Sequence, residues 1–191
     1  MVQDTRFDRL ENQTHRGGRK MKKWGLLVLA VVFVLFMGMF VIAQAQEDIQ
    51  KYPSCKYCGM NRQQFAHSRM LIEYDDGSTV GTCSIHCAAV DLAINIDKTP
   101  KAVRVGDYNS KALIDAEKAS WVIGGNKMGV MTKKAKWAFE KKEDAEKFIK
   151  ENGGENATFD VVMKAAYEDM YQDTKMIRER RKMKKMEHKH N

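Results

Sequence analysis

Four cysteines lie close together in the chain and form two spaced pairs. Cys55 and Cys58 are separated by two residues, and Cys83 and Cys87 by three. A turn with the first spacing directs both sulfurs to one side, so the two thiolates can bind one metal ion. On a helix, residues four apart share a face, and a helix N-terminus favours thiolate over thiol. The two pairs therefore predict a site rich in thiolate sulfur.

Three kinds of site fit this pattern. Four cysteines can form a closed structural Zn(II) site. The first pair could serve a thiol–disulfide oxidoreductase, although no thioredoxin-like succession of strand and long helix surrounds it. The third possibility is a soft Cu(I) site, which thioether sulfur would favour. Met60 follows Cys58 by two positions, and Met128 and Met131 flank a turn with no apolar periodicity that requires them.

The elements that must position these residues repeat the order β-β-α-β twice. In the first unit an Asp75-Asp76-Gly77 turn indicates a hairpin, and Ser84 is a candidate N-cap. Gly153 and Gly154 indicate the end of the second helix. The sequence predicts an α+β fold with these elements: strands 69–74, 78–82 and 102–105 with a helix after Ser84, then strands 120–123, 136–140 and 158–161 with a helix over 142–151.

The positive charge is concentrated at the two ends of the chain. The formal net charge is +8, but residues 1–23 and 171–191 carry the excess, and the part between them is close to neutral. A nucleic-acid-binding face is therefore not demanded by the sequence, and no nucleic-acid partner is expected.

An apolar segment over residues 24–43 carries no charge and spans about 30 Å as a helix, the thickness of a bilayer core. Basic residues precede it, which places the N-terminus in the cytoplasm and exports everything after Ala45. The chain is thus expected to cross the inner (cytoplasmic) membrane once, with its domain facing the periplasm or cell exterior. The alternative is a secreted protein cleaved near Ala45, since Ala43-Gln44-Ala45 has the form of a cleavage site.

Four regions follow from these observations. They are a basic cytoplasmic N-terminus (1–23), a transmembrane anchor or signal segment (24–45), a metal-binding domain (46–170) and a helical basic tail (171–191). The tail can be a solvated end, a surface for anionic lipid headgroups, or a loose collector of metal through soft or borderline ligands. Those ligands would be Met176, Met183, Met186, His188 and His190.

Three stretches of the sequence resemble the NosL family, the accessory proteins of nitrous oxide reductase in denitrification. They are CKYCGM, HSRMLIEYDDGSTVGTCSIHCAAVDLA and WVIGGNKMGVMTKKAKWAFEKKEDAEKFIKENGG. The resemblance covers about residues 52–161. It implies an exported copper-binding protein of two homologous β-β-α-β units that binds Cu(I) and hands it to the copper centres of the reductase. The implied function is that of a metallochaperone and not of an enzyme.

The resemblance also implies a ligand set. Cys58 and Met60 match the cysteine and methionine of the family's CGM motif, and Met131 matches its loop methionine. Met128 is a neighbouring alternative in the same loop. We therefore expect Cys58, Met60 and Met131 to hold Cu(I), with His86 or Cys55 as an optional further ligand.

The chain departs from the family pattern in two ways. Members of the family are often lipoproteins anchored through an N-terminal cysteine, whereas in this chain no cysteine follows the apolar segment until Cys55. A transmembrane helix would therefore replace the lipid anchor. Cys83, His86 and Cys87 are extra to the minimal motif, which leaves the number of ligands open. A weaker likeness to treble-clef modules of the YHS and TRASH kind rests on Cys58 followed by Cys83-x-x-x-Cys87. It implies a membrane-tethered module that is stabilised by zinc or senses heavy metals.

Overall fold

The computed structural model describes residues 47–190, without the side chains of residues 188–190. The predicted basic N-terminus and the predicted transmembrane or signal segment lie outside the described residues. Within residues 47–190, no helix is long and apolar enough to cross a membrane.

Four helices and seven strands make up the described part of the chain. The helices are α1 (Glu47–Lys51), α2 (Ile85–Ile94), α3 (Lys142–Asn152) and α4 (Phe159–His190). The strands are β1 (Met70–Tyr74), β2 (Thr79–Thr82), β3 (Pro100–Gly106), β4 (Leu113–Asp115), β5 (Ser120–Ile123), β6 (Lys136–Phe139) and β7 (Glu155–Ala157).

Two antiparallel sheets follow the predicted repeat. The first has the strand order β2-β1-β3-β4 and the second the order β6-β5-β7. In both, the first strand of the unit pairs with the second on one side and with the third on the other. The sequence β-β-α-β therefore occurs twice, and the mixed α and β fold class is confirmed. Strand β4, which extends the first sheet, was not predicted.

The predicted closing strand over 158–161 is wrong. The strand lies earlier, at Glu155–Ala157, and α4 begins at Phe159. Thr158 starts this helix, because its hydroxyl accepts the N–H of Val161 at 3.5 Å and its carbonyl accepts the N–H of Val162 at 3.1 Å. A threonine in this position satisfies donors that a new helix leaves open. The helix-capping preference of Thr158 thus outweighs the strand propensity of the β-branched residues that follow it.

Helix α4 continues without interruption through the predicted tail, so the expected helical character of the tail is confirmed. Its first turns pack Val162, Ala165 and Ala166 into the core. Farther along, Asp173 and Met176 are also buried, whereas Met183 and Met186 are exposed. The spacing of the buried positions is that of one helix face. Part of the tail therefore belongs to the folded domain.

A buried ion network fixes the segment that carries the first cysteine pair. The Asp48 carboxylate accepts hydrogen bonds from Arg62 Nη2 at 2.7 Å and from Arg69 Nε at 2.9 Å, and both arginines are fully buried. Burial raises the pKa of Asp48, but the hydrogen bond and charge of Arg69 and the charge of Arg62 outweigh it, so the pKa is lowered. Arg62 Nε also donates to the Thr82 carbonyl at 3.0 Å, next to Cys83.

Candidate metal site

The two cysteine pairs meet in space. The sulfurs of Cys55, Cys58, Cys83 and Cys87 all lie within 4.8 Å of one another. The Cys58 and Cys83 sulfurs are 3.4 Å apart, and those of Cys83 and Cys87 are 3.8 Å apart. A tetrahedral ion with metal–sulfur bonds of about 2.3 Å would separate its ligand sulfurs by about 3.8 Å. All four cysteines are free thiols, and their spacing is that of one four-sulfur site.

A tight turn, which we call the knuckle (residues 55–60), presents the first pair. The N–H of Cys55 donates to the Met60 carbonyl at 2.9 Å, and that of Gly59 donates to the Cys55 carbonyl at 3.0 Å. Gly59 has a φ of 73°, a left-handed conformation that glycine adopts without a steric penalty. The Tyr57 hydroxyl donates to the carboxylate of Asp91 in α2. The knuckle is thereby tied to the helix that carries the second pair.

The second pair lies at the start of α2. Ser84 takes the N-cap position with extended backbone, although its side chain makes no capping hydrogen bond. Cys83 precedes the cap, and Cys87 lies in the first turn. The Ser68 hydroxyl donates to the Cys83 carbonyl at 2.9 Å, which fixes the approach to the helix. The predicted placement of this pair at a helix start is thus what the structure has.

The four thiols influence one another's protonation. Hydrogen bonds with Cys58, Cys83 and Cys87 lower the pKa of Cys55. The hydrogen bond with Cys55 raises the pKa of Cys58, those with Cys83 and Cys87 lower it, and the result is a pKa of about 7. Hydrogen bonds with Cys55 and Cys58 raise the pKa of Cys83 and of Cys87. The cluster stabilises its first negative charge and opposes further ones, a situation that a bound cation resolves.

A cleft of about 620 Å³ opens beside the knuckle. Its walls come from the knuckle, from the loop between β5 and β6, and from α4. Five sulfur-bearing side chains line it: Cys58, Met60, Met128, Met131 and Met176. Met128 is 73% exposed at the surface, and Met176 is only 8% exposed. Cys58 is the one member of the four-cysteine cluster among the described residues that line this cleft.

The loop that carries Met131 is tightly constrained. Met131 has a φ of 62°, a left-handed conformation that costs a non-glycine residue about 1–2 kcal/mol. At Gly129 an added Cβ would lie 2.8 Å from the Thr132 carbonyl oxygen and 2.9 Å from the Ala135 Cα. Asp173 of α4 accepts the N–H of Lys133 at 3.1 Å. Strained residues held by their surroundings are concentrated at functional sites, and here the contacts of the loop hold a strained methionine on the cleft wall.

His86 is not a member of the four-cysteine cluster. It is 6% exposed, and its Nδ1 lies 3.7 Å from Oδ2 of Asp173 in α4. Burial lowers the pKa of His86, although the nearby Asp173 carboxylate acts in the opposite direction. Among the described residues, the group that could hold a metal ion consists of the four cysteines and does not include His86. The ring of His86 on α2 packs beside Asp173 of α4, and in the part of the chain that the structure describes neither His86 Nδ1 nor Asp173 Oδ2 has a hydrogen-bond partner.

The site contains residues to which the sequence analysis gave no role in it. Met176 was named only as a ligand of a loose tail, yet it lines the cleft. Its spacing from Val162 and Asp173, which puts all three on one face of α4, could have indicated that it packs against the domain. His67 also lines the cleft, and its ring lies 5.5 Å from that of Trp137. No sequence pattern indicated His67, because the turns between α1 and β1 bring it there.

The fold and the site define a small α+β protein with a sulfur-rich candidate metal site. The chain belongs to the NosL family, whose sequence model matches residues 46–167. The resemblance stated from the sequence is thereby confirmed, and the family is not an enzyme family.

Among solved structures, the chain is similar to the crystal structure of the copper chaperone NosL from Shewanella denitrificans. The two are 25% identical, with a TM-score of 0.45, over 56% of this chain and 87% of that chain. None of the curated proteins compared with the chain matches it.

Proposed function

We propose that this chain is a copper chaperone that carries Cu(I) in the methionine-lined cleft, with Cys58, Met60 and Met131 as ligands. One observation carries the proposal: a thiol and several thioethers from separate elements line the same open cleft. A lone methionine is more often a flexible core residue. Met70 is an example, since it is fully buried in the core beneath the first sheet.

The chemistry of the donors supports Cu(I) as the cargo. Thiolate and thioether sulfur are soft ligands that select Cu(I) over harder ions. Thioethers carry no charge and exchange readily, so a site with one thiolate and two thioethers can bind the ion and still release it. The open cleft gives a recipient access to the bound ion. We infer that capture and release both take place through this opening.

The recipient and the location belong to the same proposal. Membership of the NosL family supports delivery of copper to nitrous oxide reductase or to its assembly proteins. The apolar segment over residues 24–43 supports an inner-membrane anchor with the domain on the outer side. Mixing the copper-loaded chain with copper-free reductase tests delivery, and an absence of transfer would limit the function to binding. An N-terminal tag retained in washed membranes would distinguish an anchor from a segment cleaved near Ala45.

Replacing Met131 by leucine is expected to weaken Cu(I) binding about tenfold or more, because a thioether ligand is lost. The fold should be retained, since the change conserves volume and costs less than about 1.5 kcal/mol. Leucine and methionine are both unbranched at Cβ, so the left-handed backbone at this position is no harder to adopt. The measurement is competition for Cu(I) with a chromophoric chelator, under anaerobic conditions.

The matched control is Met163→Leu. Met163 is also a half-buried methionine, but it lies on α4 and packs against the part of the core that contains Trp121 and Val162, away from the cysteines. Its replacement should leave Cu(I) affinity unchanged. If Met131→Leu behaves like this control, Met131 is not a ligand.

A further inference from the structure

We propose that the chain binds two metal ions at once: a resident Zn(II) held by all four cysteines, and the Cu(I) cargo in the cleft beside it. Cys58 belongs to both sites, because it is a member of the cysteine cluster and also lines the cleft. A thiolate sulfur has enough lone pairs to bridge two ions. The identity of the second ion rests on the function proposed above. The zinc site rests on the geometry of the cysteines alone.

The four-cysteine cluster has the features of a closed structural site. Its four sulfurs lie within 4.8 Å of one another, with separations of 3.4 and 3.8 Å for two of the pairs, close to the 3.8 Å or so of a tetrahedron with metal–sulfur bonds of about 2.3 Å. Cys55, Cys83 and Cys87 are 3%, 0% and 2% exposed, and they belong to one buried cluster with aromatic residues such as Trp137 and Phe139. A carrier must release its ion, whereas three buried thiolates would retain it. This set of ligands is therefore suited to a permanent ion.

An ion in this cluster would add a crosslink to a segment of the chain that has little regular structure. Between α1 and β1, residues 52–69 form no helix and no strand, apart from an isolated bridge between Ser54 and Asn61. A metal bound by Cys55 and Cys58 on one side and by Cys83 and Cys87 on the other would fasten this segment to α2. Structural zinc sites contribute folding free energy in this way.

The cleft is a separate environment with a different donor set. Its methionines come from three elements: Met60 from the knuckle, Met131 from the loop before β6, and Met176 from α4. Arg181 Nη2 donates to the Cys58 carbonyl at 3.1 Å, so α4 is fastened directly to the cysteine that both sites share. The cleft is open to solvent, whereas the cysteine cluster is buried. We therefore assign the exchangeable copper ion to the cleft and the permanent zinc ion to the cysteine cluster.

The first experiment uses the native full-length chain, purified anaerobically. We expect about one tightly bound zinc per chain, as for other closed four-cysteine sites. One equivalent of Cu(I), supplied from a chelator buffer, should then bind while a zinc indicator reports no release. Zinc released in proportion to the copper taken up would overturn the proposal, since both ions would then occupy one site. A chain that binds Cu(I) but retains no zinc would overturn it and leave the proposed function standing.

Two variants separate the sites. Cys87→Ser is expected to lose the zinc and to unfold at a lower temperature, whereas Met131→Leu should lose copper affinity with its zinc content unchanged. Met163→Leu, the control, should retain both metals. Zinc retained in Cys87→Ser would overturn the four-cysteine assignment. If Cys87→Ser does not fold, the zinc-release experiment on the native chain still decides. A native chain that holds zinc and binds no Cu(I) would refute the proposed function and with it the second ion.

Discussion

Replacing Cys58 by serine is expected to lower Cu(I) affinity by at least about 100-fold, since mutating even the partners of metal ligands costs 10–100-fold. The hydroxyl of serine is a hard donor and a poor ligand for a soft ion. The same variant should lose zinc, because Cys58 is the side chain that the cysteine cluster and the cleft have in common. Chelator competition measures the first effect, and metal content after purification measures the second.

Misfolding has to be separated from ligand loss in this variant. Cys58 is only half-buried, and serine is nearly the same size, so the metal-free variant and the metal-free native chain should melt at similar temperatures. Added metal should raise the melting temperature of the native chain only, since a ligand that binds the folded state stabilises it. A Cu(I) affinity within threefold of the native value would show that Cys58 does not bind the cargo.

Replacing Asp48 by asparagine is expected to cost about 3–5 kcal/mol of the free energy of unfolding, the usual effect of removing one partner from a buried ion pair. Arg62 and Arg69 are both fully buried, and the substitution removes the carboxylate that accepts hydrogen bonds from both. Urea unfolding of the metal-free chain measures the loss. Asp76→Asn is the control, because Asp76 pairs with Lys98 at the surface, where ion pairs contribute little.

The native chain and Asp48→Asn are also expected to differ in their stability at acid pH. The pKa of Asp48 is lowered in the folded state from its ordinary value of 3.8. Its contribution to stability is therefore complete above pH 3.8 and is lost as the pH falls through the lowered value. The native chain should lose stability in this range, and Asp48→Asn should lose less. Identical acid unfolding curves, together with similar urea midpoints at neutral pH, would contradict the role assigned to Asp48.

Much of the fold could be predicted from local signals. Strand β5 has the predicted bounds, since Gly124 and Gly125 end it. The hairpin of β1 and β2 follows from its Asp-Gly turn. Strand β7 was misplaced because the N-cap at Thr158 competes with the strand propensity of the residues that follow. The pairing register of the strands in the two sheets could not be predicted, because it depends on contacts between residues distant in the sequence.

The candidate site was predicted in its composition better than in its arrangement. The spacing of Cys55, Cys58, Cys83 and Cys87 was sufficient to predict a common cluster. Spacing could not show which side of α2 carries His86, because only the packing of α4 places Asp173 beside it. Spacing also could not show that the C-terminal half of α4 contacts the knuckle through Arg181.

The central claim is that Cu(I) is bound by thioether sulfur in the cleft. X-ray absorption at the copper edge tests it most directly, on chain whose 13 methionines have been replaced by selenomethionine. We expect selenium atoms bonded to the copper, with one fewer in Met131→Leu. A copper ion surrounded by sulfur alone would contradict the claim, because the cargo would then be held by the cysteines.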